Sequence, residues 1–148
     1  MENFDIAVIG GGPGGYPAAI RAAQKGASVA LIGKEDLGGT CLNRGCIPTK
    51  TLIAAAGLYH KISGADKLGI NVENVSLDYA KMQKHKTKVV NKLCKGVEQL
   101  LKANKVTVYN GTASFKTANV LSVKSEDSTT EITAEKIIIA TGSNSAVP

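Results

Sequence analysis

Tryptophan is absent from this chain, aromatic residues make up only 4% of it, and Arg21 and Arg44 are its only arginines. Base stacking and bidentate arginine contacts, two main devices of nucleic-acid recognition, have little to draw on. Lys81, Lys84, Lys86, Lys88, Lys92 and Lys95 do crowd one stretch. They lie between apolar positions, which reads as the solvated face of a helix with His85 exposed among them. No apolar run approaches the roughly 20 residues of a membrane span. The opening Met1-Glu2-Asn3-Phe4-Asp5 carries acids where a secretory leader carries bases. Histidine occurs twice (His60, His85) and cysteine three times, with Cys94 far from the other two. That is too few ligands for a closed zinc site. The expectation is a cytoplasmic chain with no metal site and with neither nucleic acid nor membrane as partner.

What is present fits one domain over residues 1–148. The chain is 43% apolar, carries a net charge of +6, and shows no repeat or low-complexity tract. A chain of this length can bury a core of its own.

Two stretches carry chemistry. Asp5-Ile6-Ala7-Val8-Ile9 has strand length and runs straight into Gly10-Gly11-Gly12-Pro13-Gly14-Gly15. Gly10, Gly12 and Gly15 satisfy G-x-G-x-x-G at a strand-to-helix turn. The first glycine allows the tight turn, the second lets a pyrophosphate approach the backbone, and the third lets helix and strand pack closely. A helix over residues 13–25 would aim its N-terminal N–H groups at the phosphates, stop near Gly26, and lead to a second strand at residues 29–32. The second stretch is Cys41-Leu42-Asn43-Arg44-Gly45-Cys46. Thiols this close can close a small disulfide ring or stand open as a dithiol, which is two-electron redox chemistry. Cys46 precedes Ile47-Pro48 at the start of a helix, where the dipole favours thiolate.

The remaining elements follow from periodicity. Helices are expected over residues 48–59 and, capped by Ser76, over residues 76–103, joined by a polar stretch at 63–74. A strand at 105–109, a hairpin of 119–124 with 131–134 about Glu126-Asp127-Ser128, and a buried strand at 137–139 complete the pattern. Cys94, in an apolar stretch, reads as a small buried hydrophobe.

In this order the motifs resemble the N-terminal part of the pyridine-nucleotide disulfide oxidoreductases, and most of all the dihydrolipoamide dehydrogenase branch. Gly10 to Gly15, Gly38-Gly39-Thr40 through Lys50, and Ile137-Ile138-Ile139-Ala140-Thr141-Gly142-Ser143 carry the resemblance. It implies an α/β, Rossmann-like FAD-binding domain: a central parallel sheet, flanking helices and a small antiparallel insertion. It implies FAD held by Gly10, Gly12, Pro13, Gly14, Gly15, Lys34, Glu35, Gly39, Thr40, Lys50, Gly111, Thr141, Gly142 and Ser143. It gives the cysteines distinct roles, Cys41 the more exposed thiol that meets substrate and Cys46 against the flavin. Lys50 stands near the isoalloxazine ring and Gly111 near the adenine. NAD as acceptor, a catalytic His–Glu pair and homodimerisation belong to further domains of such a protein. Its partners are the lipoyl domains and acyltransferase core of 2-oxo acid dehydrogenase complexes. Glutathione or mercuric reductases, and a stand-alone FAD module without turnover, are the alternatives; Leu42 and Ile47 favour the lipoamide branch.

The sequence departs from that family at two positions. Gly33 stands where a ribose-binding Glu is usual, so either Glu35 reaches back to the ribose or backbone groups and water serve. Arg44 stands where Val is common, and would add positive charge beside the dithiol.

Overall fold

The computed structural model describes residues 1–144 and 146. Its elements, in chain order, are β1 (Glu2–Ile9), α1 (Tyr16–Gln24), β2 (Val29–Gly33), α2 (Gly39–Asn43), α3 (Cys46–Ser63), α4 (Tyr79–Ala103), β3 (Thr107–Asn110), β4 (Thr112–Phe115), β5 (Val120–Lys124) and β6 (Thr129–Ile139). A single 3₁₀ turn, Ala65–Leu68, follows α3. The six strands form one mixed sheet in the order β3-β2-β1-β6-β5-β4. Strands β3, β2, β1 and β6 are parallel, whereas β5 runs antiparallel to both β6 and β4.

β3 and β4 are separated in sequence only by Gly111, yet they stand at opposite ends of this order. The sheet can do this only by folding over itself, and β6 is where it folds. β5 pairs with Thr129–Thr133 of β6, and β1 pairs with Ile132–Ile139, so the two share β6 only at Ile132 and Thr133. The antiparallel strands thereby form a layer over one face of the parallel ones. Alternation along the strands shows it. Ala7, Ala30 and Ile32 join Leu121, Val123, Ile132 and Ala134 in one cluster. Val8, Val29 and Leu31 join Ala19, Val97, Leu101 and Val106, from the helices and the approach to β3, in the other. The parallel strands are thus buried on both faces, as parallel sheets generally are.

The expected fold class holds, with corrections in detail. The hairpin's return strand and the closing strand are one eleven-residue strand, β6. β4 is an added strand, its short alternation having given little to read. The long helix is capped by Asp78, whose carboxylate accepts from the Lys81 N–H at 2.9 Å, and not by Ser76. α1 begins at Tyr16 because residues 13–15 are spent in the turn itself, and α3 begins two residues before Pro48. Gly26 does end the first helix, at a φ of 93° that glycine alone adopts without strain.

Candidate functional site

The strand order 3-2-1-6 places the chain's switch point between β1 and β6. Crevices at such points receive ligands in open α/β sheets. Here the loops are 10–15 after β1 and 140–143 after β6, and they touch. A Cβ on Gly10, which has φ 117°, would stand 2.1 Å from the Ala140 carbonyl oxygen. The Ala140 N–H donates to the Ile9 oxygen at 2.8 Å. Thr141, Gly142 and Ser143 therefore leave the sheet alongside the glycine turn, all three exposed.

Each glycine of the fingerprint meets a separate steric demand. A Cβ on Gly15 would lie 1.7 Å from the Gly10 oxygen, so only glycine lets α1 start against the end of β1. Gly12 faces Gly39: a Cβ on Gly39 would lie 2.8 Å from the Gly12 Cα. The Gly38 N–H donates to the Gly11 oxygen at 2.8 Å. Paired glycines thus dock the approach to the cysteines onto the turn. The N–H groups of Gly11, Gly12 and Gly14 have no acceptor among the described residues. Donors left over beside a helix N-terminus, in a cradle without side chains, suit a pyrophosphate. The residues present therefore fit a dinucleotide such as FAD.

The cysteines come from two helices. Cys41 lies within α2, half-buried; Cys46 is the first residue of α3 and is exposed. Both are free thiols. Without a cofactor Cys46 is the more exposed of the two; the expected order supposes a flavin lying over it. The Cys41 thiol is pushed above its usual range, first by the neighbouring Cys46 thiol and then by burial. Lys50 acts on Cys41 in the opposite sense. Arg44 does not supply the nearby positive charge. Its guanidinium is ion-paired with Glu35, and the cation that Cys41 feels is Lys50.

A cleft of about 1100 Å³ opens at the carboxyl ends of β2 and β3, with Gly33, Lys34, Glu35, Lys102, Lys105 and Asn110 among its lining. It lies where an adenosine group would follow from a pyrophosphate on the glycine turn. Gly33 faces the turn, with the Gly11 nitrogen 3.6 Å from where its Cβ would stand. The Glu35 carboxylate is engaged by Arg44 of the cysteine loop. Gly111 is needed for a reason apart from any ligand. Its Cβ would lie 2.6 Å from the Lys124 oxygen, and its N–H donates to the Gly33 oxygen at 2.9 Å.

Two residues have a role here that the sequence did not give them, and Cys94, expected as a small buried hydrophobe, is half-buried and hydrogen-bonded. Asn43 donates to the carbonyls of Leu37 and Gly39, and Cys94 of α4 donates to Asn43 Oδ1 at 3.1 Å. Asn43 could have been found from its place between the cysteines. Cys94 carries no such signal, being 51 residues away in sequence. Among the described residues no group of His, Cys, Asp and Glu is arranged to hold a metal, and no helix is long and apolar enough to cross a membrane.

Comparison with known proteins agrees with this geometry. The chain is 52% identical over 136 residues to a dihydrolipoyl dehydrogenase of Geobacillus stearothermophilus, covering 92% of this chain and 29% of that protein. It is 51% identical over 147 residues to that of Trypanosoma brucei brucei, covering 97% of this chain and 31% of the relative. The chain thus spans about 30% of the length of these curated relatives. Among solved structures, the HOCl-induced flavoprotein disulfide reductase RclA from Escherichia coli, as its Cu(II) complex, superposes with a TM-score of 0.84 at 32% identity, covering 100% of this chain and 30% of that one. The model of the pyridine nucleotide-disulphide oxidoreductases matches residues 4–148, and the chain belongs to that family.

Proposed function

We propose that this chain is the FAD- and disulfide-bearing part of a dihydrolipoamide dehydrogenase. The observation that carries the reading is the neighbouring pair of free thiols, Cys41 and Cys46, docked by Gly39 onto a glycine turn with unused N–H donors. Gly10, Gly12, Pro13, Gly14 and Gly15 would hold the pyrophosphate, and Lys34, Glu35 and Gly111 would lie toward the adenosine. Gly39, Thr40, Lys50, Thr141, Gly142 and Ser143 would line the flavin. Bound FAD would supply a two-electron acceptor for the pair, and NAD, the onward acceptor in this reading, would act through a further domain.

The chain's own chemistry is thiol–disulfide exchange. A thiolate of the dihydrolipoyl group attacks Cys41 Sγ of the oxidised pair, forming a mixed disulfide while Cys46 leaves as thiolate. The second dihydrolipoyl sulfur then displaces Cys41. The lipoyl disulfide departs, and the pair holds two electrons and one proton. In this reading Cys46, at the first residue of α3, is the sulfur that passes the electrons on. When the electrons pass on, the Cys41–Cys46 bond re-forms. The partners in this reading are lipoyl domains and the acyltransferase core of a 2-oxo acid dehydrogenase complex, with a homodimer supplying the His–Glu pair and a cytoplasmic setting.

The likeness to RclA supports a second reading, a related flavoprotein disulfide reductase with another disulfide substrate. Reconstitution with FAD, followed by partial dithiol reduction, tests the common core. A long-wavelength thiolate–flavin charge-transfer band is expected, and Cys46→Ser abolishes it while Cys41→Ser keeps it. A band that survives Cys46→Ser contradicts the assignment of roles. Oxidation of dihydrolipoamide against glutathione by the full-length protein separates the two readings.

A further inference from the structure

Asn43 sits inside the cysteine loop, and both ends of its side-chain amide are engaged. On one side lie the main-chain carbonyls of Gly39 at 3.0 Å, Leu37 at 3.1 Å and Asp36 at 3.4 Å. Three acceptors on one side identify that side as the NH₂ group, because an oxygen there would face only oxygens. The other side is then Oδ1, and Cys94 Sγ–H donates to it from α4 at 3.1 Å. Both residues are half-buried, so an unmade bond at either end would not be fully replaced by water. The next residue, Arg44, ties the same loop to Glu35.

This arrangement bears on the cysteines through spacing. A disulfide needs its Cβ atoms about 3.8 Å apart with a narrow torsion. Cys41 belongs to α2 and Cys46 to α3, so their separation depends on how the end of α2 is held. Asn43 is the last residue of α2, and its amide anchors that end to the carbonyls leading into it. Gly45, next before Cys46, is packed so closely that its Cβ would lie 3.1 Å from the Thr40 oxygen. We propose that Asn43, oriented by Cys94, is a positioning residue that sets the spacing of Cys41 and Cys46 and so the stability of the bond between them. Without it the two sulfurs spend less time in closable geometry. Their effective concentration falls, and the disulfide becomes easier to reduce. The inference rests on the redox reading of the pair, and its test separates the two.

The 148-residue chain is equilibrated in graded glutathione buffers, the free thiols are trapped, and the Cys41–Cys46 disulfide is quantified by mass spectrometry. The wild-type chain is expected to form the bond. Asn43→Ala is expected to lower its equilibrium constant about tenfold, a midpoint shift of ~30 mV toward easier reduction. Cys94→Ala is expected to shift it the same way by roughly threefold, the share of one neutral hydrogen bond. Cys94→Ser keeps a donor and returns the midpoint to wild type, which a loss of packing alone would not do. Wild-type midpoints in folded Asn43→Ala and Cys94→Ala overturn the positioning role. Should Asn43→Ala fail to fold, equal midpoints for Cys94→Ala and Cys94→Ser overturn it instead. A wild-type chain that never forms the bond overturns the redox reading beneath it.

Discussion

The hydroxyl of Tyr109 is buried with no hydrogen-bond partner among the described residues. Its ring packs edge-on against Phe4, with centroids 6.1 Å apart and planes at 89°, beside the cluster that joins the parallel strands to the antiparallel layer. Burial, and then the nearby Glu2 carboxylate, push the phenol up to about 12 from its ordinary 10.0. An acid whose folded value is raised holds its proton more tightly when folded. Its contribution to stability is therefore complete below pH 10 and is lost as pH rises from 10 through 12. Tyr109→Phe keeps the ring and removes the unpaired hydroxyl. The expected result is a gain of about 1 kcal/mol in urea unfolding at pH 7, with unchanged slope and a shallower decline above pH 10. A variant less stable than wild type at pH 7 would mean that the hydroxyl is satisfied after all. A second side chain teaches the limit of composition. Arg44 reads from the sequence as a charge beside the dithiol, but its partner Glu35 lies nine residues back. Only the fold of the intervening glycine loop shows that the pair has found each other.

At the scale of elements, α4 shows how a helix start is chosen. Ser76 and Asp78 are both good N-cap residues, and both precede the apolar spacing. Asp78 prevails because its backbone is extended, at φ −98° and ψ 95°, and its carboxylate reaches the Lys81 N–H. Those bonds hold its carboxyl below the ordinary value of 3.8. A depressed carboxylate stabilises above its ordinary value, and that contribution is lost as pH falls through the lower, folded value. Asp78→Ala is expected to lower the thermal midpoint by about 3 °C at pH 7. The difference from wild type should shrink as pH falls through that lowered value. An undiminished difference in acid would mean that the cap acts through something other than its charge. The same scale explains which elements were legible. β1, the glycine turn and β2 are local: a strand, a turn and an apolar run, each complete within a few residues. β6 is not local. Thr129 to Ile139 reads as two strands, because Ala134 to Lys136 breaks the apolar alternation where the strand passes from the antiparallel layer to the parallel one. β4 has one partner, β5, and its pairing appears only once the sheet has folded over. The site was legible to the same extent. Gly10 to Gly15 and Cys41 to Cys46 announce themselves by spacing, whereas the Asn43–Cys94 contact exists only because α4 crosses α2.

For the whole molecule the distribution of burial matters more than its amount. Ala7, Val8, Ala30, Leu31, Ile32, Leu121 and Ile132, at 0–1% exposure, lie in or against the parallel sheet. α3 has no buried residue along its 18 positions, and α4 buries only Val97 and Leu101, both in its last third. α3 packs on α2 and α4 and on no strand to any extent, so α3, with the half of α4 that buries nothing, forms an arm beside the sheet rather than part of its core. Opening such an arm exposes little apolar area, so its free energy of opening should be small compared with that of the sheet. The redox pair sits on this boundary. Cys41 is in α2, docked to the glycine turn, and Cys46 is the first residue of the arm. A disulfide between them would tie the arm to the body close to its hinge. Hydrogen exchange of the chain at neutral pH is expected to show the slowest amides in β1, β2 and the parallel half of β6. Amides of α3 and residues 79–93 should exchange at least tenfold faster, because their openings do not require the sheet to unfold. Closing the Cys41–Cys46 bond should slow the first turns of α3 and leave residues 79–93 nearly unchanged, since the tie acts at one end of the arm. Sheet-like protection throughout α3 in the dithiol form would show that arm and body unfold as one cooperative unit, and the cysteines would then lie inside that unit rather than at its edge.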